Sequence, residues 1–382
     1  MSSLCPKAIH TAVRRNRRRR ILYLMHVDWG WIKQRPHFLA EGLAANHDVR
    51  VLYPLVFRNH VYMTRNETHL HHSTLLPIPW RWRSLPWARA LHRRWIAKIA
   101  REFCPDIIWV THPSLLELLP EHLMELPVIY DCMDDALNFL STSHEGALLA
   151  QLEEQLVRRS ARILCSSAHL SDVLASRYSS SVCGKISVVR NAVSQKILGN
   201  PTDKPKAIRK RLVGERTLKI GYIGTVAEWL DFDLLLDCLA DTADVEFHLV
   251  GPITIPNAAR HERLHYHGPI PHGELVQYVD RFDAHMMPFK MGPLIEAVDP
   301  IKLYEYLAFG KEIISIRYRE VDRFANFVHF YDTKSEFIQL VRDLAAGKLA
   351  LKNCPERTRH FLEENTWHQR VEHIYELLDS LN

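Results

Sequence analysis

No stretch of this 382-residue sequence approaches the ~20 consecutive apolar residues that a bilayer-spanning helix requires. The region after Met1 also lacks the apolar core of a secretory leader. Its first twenty residues are polar and basic, so the chain is expected to stay inside the cell. Paired CxxC spacing is missing as well: the seven cysteines are odd in number and scattered, and no disulfide is expected. Cys104, Cys165 and Cys238 sit in apolar or helical contexts and are expected to be buried thiols. His69, His71 and His72 have neither partner carboxylates nor i, i+4 spacing, so they are expected to form a solvated loop rather than a metal site. Gly221-x-x-Gly224 lacks the third glycine of a dinucleotide fingerprint, which argues against a dehydrogenase. There is no internal repeat.

What is present is a soluble, globular composition, 47% hydrophobic and 24% charged, with enough length for two domains. The formal charge is +5, but Arg14, Arg15, Arg17, Arg18, Arg19 and Arg20 outweigh it, so the rest of the chain is slightly acidic. Two readings of that block stay open: attraction to an anionic membrane surface, or a solvated extension. A nucleic-acid-binding protein working through the same tail is the non-enzymatic alternative. The body carries no recognition module for that role, and no nucleic-acid partner is expected.

Short apolar runs alternate with helical periodicity along the chain. Strands are expected at 21–27, 49–53, 107–110, 128–130, 162–166 and 186–189, with helices between them and a long excursion from Pro54 to Pro86. Residues 190–215 hold Gly199, Pro201 and Pro205 and read as a linker. Alternation then restarts with strands at 218–223, 245–250, 264–266, 284–287 and 313–316. Such alternation indicates parallel sheets covered by helices on both faces.

Chemistry concentrates where those strands end. Asp299-Pro300 followed by Ile301–Phe309 and Gly310 reads as a short helix, capped by Asp299 and closed by a left-handed glycine. Leu303 and Leu307 fall on its buried face. Lys302 adds positive charge to an anion-binding helix start, and Glu305, one turn on, can accept the two hydroxyls of a ribose. Gly224 and Thr225 offer close backbone approach and a hydroxyl. Asp131, Asp134 and Asp135 follow one N-terminal strand; Asp134 is the preferred base and Asp131 a sugar or acceptor ligand, with capping and solvation as the bland alternatives. Asp28, Trp29 and Trp31 flank Gly30 after the first strand, where the indoles either stack on a sugar or plug the domain edge.

Together these segments resemble glycosyltransferases of the GT-B fold, and within them the bacterial teichuronic-acid-type group of cell-surface polysaccharide synthesis. The resemblance rests on Asp299–Lys311, Gly221–Asp231, Leu249–Pro252, His267-Gly268, Met287–Lys290, Trp31 with Gln34–His37, and Tyr130–Asp135. It implies two Rossmann-like parallel-sheet domains facing a cleft. Residues 21–193 would form the acceptor domain and 216–350 the nucleotide-sugar domain, joined by linker 194–215. The basic tail covers 1–20, and 351–382 are helices crossing back to the first domain. The implied activity is transfer of a sugar, of hexosyl type, from a nucleotide-diphosphate donor to a glycan or lipid-linked acceptor, in the cytoplasm or on the inner face of the cell membrane. The alternative within this fold is a nucleotide-sugar epimerase. Gly224, Thr225, Gly268, Lys290, Lys302, Leu303 and Glu305 would hold the donor, with Arg190 a further candidate for the diphosphate. Asp28, Trp29, Trp31 and Arg35 would hold the acceptor, and Asp134 and Asp131 would serve catalysis. No metal or other cofactor is implied. Two departures stand out: Ala227–Asp231 is acidic where retaining enzymes place an arginine and a lysine, and Ala297 replaces their second glutamate.

Overall fold

The computed structural model describes residues 18–54, 70–76, 78, 85–139, 143–198, 217–271, 274–352 and 354–381. The first half alternates as β1 (Arg20–Leu24), α1 (Arg35–Leu43), β2 (Asp48–Tyr53), β3 (His71–Thr74), α2 (Pro86–Phe103), β4 (Ile107–Val110), β5 (Val128–Cys132), α3 (Ser143–Arg159), β6 (Ser160–Cys165), α4 (Ala168–Val182) and β7 (Ile186–Val188). After α5 (Gln195–Leu198), the second half runs β8 (Leu218–Ile223), α6 (Phe232–Asp241), β9 (Val245–Val250), β10 (Leu264–Gly268), α7 (Leu275–Val279), β11 (Ala284–Met287), α8 (Pro293–Glu296), α9 (Ile301–Phe309), β12 (Glu312–Ile316), β13 (His329–Tyr331) and α10 (Lys334–Ala345). Helices α11 (Pro355–Glu364) and α12 (Trp367–Asp379) follow.

The strands form two parallel sheets, ordered β3-β2-β1-β4-β5-β6-β7 and β10-β9-β8-β11-β12-β13. Each order reverses once, at β1/β4 and at β8/β11, and ligands gather at such switch points. The central strands are buried on both faces, as the run Ile21–Leu24 and the run Ile313–Ile316 show, because helices cover both sides. The core of the second domain surrounds Phe247, Met286 and Phe337, while two clusters flank the first sheet. One of these takes in Trp367, Val371, Ile374 and Leu378 of α12, whose Trp367 stacks on Phe38 at 4.9 Å between ring centroids. The last helix therefore completes the first domain.

Several local expectations change. His71–Thr74 is an edge strand paired with β2 rather than a loop, because Arg50–Tyr53 offers it an open ladder; His69 lies outside the described residues. Cys104 is exposed, since it closes α2 with φ 50° instead of packing inward. The helix expected between the strands at 107–110 and 128–130 is two short 3-10 turns, Pro113–Leu118 and Glu121–Glu125, interrupted at Pro120, which has no N–H to continue the ladder. Residues 1–17 of the basic tail, 199–215 of the linker and residue 216 lie outside the described residues.

Candidate active site

The carboxyl ends of β8, β9 and β10 meet in a glycine-lined floor. Gly224 has φ 149° and Gly251 has φ 146°, both in the left-handed half of backbone space. A Cβ added to Gly251 would lie 2.0 Å from the Gly224 carbonyl oxygen, and Gly251 N–H donates to the Gly268 carbonyl at 2.8 Å. Three strand ends thus converge with no side chain between them. Gly224 and Gly251, with Ile223, Val250, Pro269, Ile270 and Leu275, line a small cleft of about 40 Å³, whose opposite wall is Ile32 and Lys33 of the first domain.

Lys302 lies across this floor. A Cβ on Gly224 would sit 2.2 Å from its Cε, and its ammonium lies over the rings of Tyr222 and Phe289 at 5.8 and 5.9 Å. Burial lowers its pKa, while Glu305 and Asp134 raise it, so the ammonium neighbours a carboxylate from each domain. No side chain caps α9, which leaves its first turn available to an anion. Leu303 is buried beneath the helix, Glu305 is buried one turn on, and Gly310 closes it at φ 69°.

Asp299 is not the cap that the sequence suggested. Pro300 takes that position, and the Asp299 carboxylate accepts the Asn191 backbone N–H at 2.6 Å and pairs with Arg323. Just before it, the Ala297 carbonyl accepts the Ser167 hydroxyl at 2.7 Å, and its side chain enters the first domain's core. The residue that departs from the retaining pattern therefore serves as a docking point between domains.

On the facing domain the three aspartates separate by environment. Asp131 is the penultimate residue of β5 and wholly buried. It meets Arg35 Nε and Nη2 at 2.8 Å each, while Arg35 Nη1 donates to the Val189 carbonyl at 2.6 Å. Asp135 takes two bonds from Arg177, at 2.9 and 2.7 Å, and one from Asn138 at 2.9 Å. Asp134 lies between them in sequence, half-buried, and among the described residues no ion pair holds it. Burial lifts its pKa to about 7 against the pull of Arg35 and Lys302, with Asp131 and Asp135 adding to the rise.

The acceptor expectations fare unevenly. Trp29 is a buried plug: its indole stacks on His72 and tilts against His37, each at 5.1 Å, so no ring face is left for a sugar. Arg35 and Asp131 are sealed against each other and reach no acceptor. Asp28 is buried and accepts the Gly30 N–H at 3.0 Å, shaping the loop that presents half-buried Trp31 and, beyond it, Ile32 and Lys33. On the donor side, the Thr225 carbonyl accepts the Tyr222 hydroxyl at 2.9 Å. Lys290 is exposed, 4.0 Å from Asp233, and Arg190 pairs with Glu320. Neither joins the Lys302 cluster. Asp231 of the acidic stretch caps α6 through the Leu234 N–H at 3.0 Å.

Sequence reading placed His26 in the segment after the first strand without giving it a role, and missed His112; the two straddle the β1/β4 switch. His26 Nδ1 lies 2.8 Å from Thr111 Oγ1, and the two imidazoles are 5.0 Å apart. Burial lowers their pKa values to about 3 and about 4, so both are neutral at pH 7. Their position just past strand ends was the available signal. It also missed Glu246, His248 and His265, whose ligating atoms lie within 4.8 Å of one another.

A family model described as glycosyl transferase-like matches residues 233–376. The chain superposes on sucrose-phosphate synthase from Thermosynechococcus elongatus with a TM-score of 0.72 and 13% identity, covering 95% of this chain and 99% of that one. The chain has the GT-B glycosyltransferase fold. A second GT-B neighbour is HepE from Anabaena, solved with UDP and glucose, with a TM-score of 0.64 at 15% identity, covering 95% of this chain and all of that one. In sequence, the chain is 26% identical over 219 residues to TuaH of Bacillus subtilis (strain 168), assigned as a teichuronic acid biosynthesis glycosyltransferase. That alignment spans 54% of each chain, so this GT-B chain matches about half the length of its curated relative.

Proposed function

We propose that this protein transfers a sugar, of hexosyl type, from a nucleoside-diphosphate donor to a hydroxyl of a glycan or lipid-linked acceptor in cell-surface polysaccharide synthesis. One observation carries the reading: Lys302, in the first turn of an uncapped helix, lies over the bare glycine floor and neighbours both Glu305 and Asp134. The diphosphate would rest on the α9 N-terminus and Lys302, with Glu305 on the ribose. Asp134, with a pKa near neutrality, would take the proton of the attacking acceptor hydroxyl. Fixed positive groups would neutralise the leaving diphosphate without a catalytic metal. An epimerase acting on the nucleotide sugar itself has less support, because the relative named above is a glycosyltransferase and one of the two neighbours a synthase by description. Titration calorimetry with nucleoside diphosphates and their sugars tests the reading. A diphosphate should bind at least tenfold more tightly than its nucleoside, and equal affinities would overturn it.

The acceptor's setting follows from α2. Trp87 and Leu91 are exposed there beside Arg94 and Lys98, a combination suited to the surface of an anionic bilayer. No described helix is long and apolar enough to cross a membrane. A peripheral position on the inner face would bring the acceptor domain to lipid-linked substrate. Sedimentation with anionic vesicles should fall several-fold in Trp87→Ser/Leu91→Ser and at high salt; unchanged sedimentation of that variant would remove α2 from this role.

A further inference from the structure

Away from the cleft, a second cluster lies on the face of the second sheet that carries Glu246, His248 and Gly221. Residues two apart on a strand share a face, so Glu246 and His248 of β9 project together, and the register sets His265 of the edge strand β10 beside His248. Glu246 Oε2 lies 3.3 Å from His248 Nε2 and 3.7 Å from His265 Nε2, and the three ligating atoms fall within 4.8 Å of one another. A four-coordinate zinc with bonds of ~2.0–2.2 Å sets its ligand atoms roughly 3.3–3.6 Å apart, close to this spacing.

A second observation points the same way. His248 is 7% exposed, and its Nε2 is buried without a hydrogen-bond partner although a carboxylate oxygen faces it. Its other nitrogen, Nδ1, is 2.9 Å from His267 Nε2. If His248 donates Nδ1–H to His267, its Nε2 lone pair faces Glu246, and two acceptors oppose each other unless a cation lies between them. In the other tautomer Nε2–H faces the carboxylate outside hydrogen-bonding geometry. Metal-bound histidines characteristically donate their second N–H to a neighbour, which is the place His267 occupies. The nearest cation, Lys219, is 3.9 Å from Glu246 Oε2 and 41% exposed, so it can withdraw into solvent when a metal enters.

We propose that Glu246, His248 and His265 bind a divalent transition metal of zinc type, with His267 orienting His248 and water in the fourth position. The mixed imidazole–carboxylate set selects against Mg²⁺, which prefers all-oxygen octahedra. Glu246 precedes the cleft end of β9 by about 13 Å of strand, so the metal would not touch the transferred sugar. It would pin the edge strand β10, which ends at Gly268, just before Pro269 and Ile270 of the cleft lining.

The test uses full-length protein stripped with a chelator and titrated with ZnCl₂, MgCl₂ and CoCl₂. Wild type should bind one equivalent of zinc that His265→Ala and Glu246→Gln lose, show the intense visible band of tetrahedral cobalt, and ignore magnesium. His267→Ala should bind zinc about 10–100-fold more weakly, as expected for an orienting residue. His360→Ala, altering an exposed histidine of α11, should bind as wild type does and so controls for adventitious capture among the 23 histidines. Circular dichroism confirms that each variant is folded, and His265 suits this because it lies half-exposed on an edge strand. Zinc uptake by folded His265→Ala equal to wild type, or an octahedral cobalt spectrum, would overturn the proposal.

Discussion

The two domains prepare their strand ends in opposite ways. In the first, side chains crowd the ends and are locked by ion pairs: Arg35 with Asp131, Arg177 with Asp135 and Glu153, and the Tyr178 hydroxyl on Glu153 at 2.8 Å. In the second, side chains are cleared away, and Gly224, Gly251 and Gly268 leave bare backbone beneath one lysine. A crowded, paired surface can hold one acid at an unusual pKa, because its neighbours cannot move to relieve it. A bare surface can meet a diphosphate with N–H groups instead. Under the proposed function, the contrast would put proton transfer on one side and charge neutralisation on the other.

The sharpest way to break that contrast is Asp134→Asn. Turnover should fall by a factor of roughly 10²–10⁴ with donor affinity nearly intact. A base acts when ionised, so wild-type kcat/KM should rise with pH through about 7, the value at which burial holds Asp134. Stability should move the other way. Between the unfolded value near ~4 and about 7 the folded chain holds the extra proton, so Asp134's contribution to stability declines as pH rises, and the substitution should flatten that slope. Denaturant titrations across this window check it.

Next in size is Arg35→Ala, which leaves the Asp131 carboxylate buried without its partner and should cost about 3–5 kcal/mol in chemical denaturation. A loss under 1 kcal/mol would mean that pairing does not hold the crowded side together. On the bare side, Lys302→Ala should weaken nucleoside diphosphate and sugar nucleotide alike by about 1.5–3 kcal/mol while sparing the nucleoside. Equal loss for all three in calorimetry would place its effect in the fold. The smallest change is expected from Glu305→Gln, about 0.5–1.5 kcal/mol in donor affinity, with a reduced penalty for 2′- or 3′-deoxyribose donors. Undiminished discrimination against those donors would remove Glu305 from the ribose.

Much of this was legible because it is local. Leu218–Ile223, Val245–Val250 and Ala284–Met287 are short, mostly apolar segments bounded by turn residues, and the structure places strands on those residues. Lys302, Glu305 and Gly310 could be placed because one helix carries all three. Illegible were relations across the chain. Arg35 meets Asp131 across 96 residues, and Asp299 meets Asn191 across 108, so neither pairing leaves a trace in spacing. Trp29 reads equally as a sugar platform or a plug until His37 and His72 are seen to occupy its faces. The strand His71–Thr74 was hidden for another reason: a polar edge strand has no buried run to announce it. The Glu246–His265 cluster did leave a period-2 trace, which becomes informative only once β9 and β10 are known to be neighbours.

The closing helix α12 sets a timetable for making the protein. Val371 lies so close to Gly42 that a Cβ there would fall 2.4 Å from Val371 Cγ2, and the Tyr375 hydroxyl donates to the Gly42 carbonyl at 2.9 Å. The sheet those contacts cover ends at β7, nearly half a chain earlier. A ribosome adding ~5–20 residues per second leaves that face uncovered for roughly 10–40 s, so the first domain to emerge is the last to be sealed. Nascent chains halted before Trp367 should therefore recruit chaperones through Phe38 and Leu39, and a stop codon in the last fifteen residues should harm the N-terminal half more than the half it truncates.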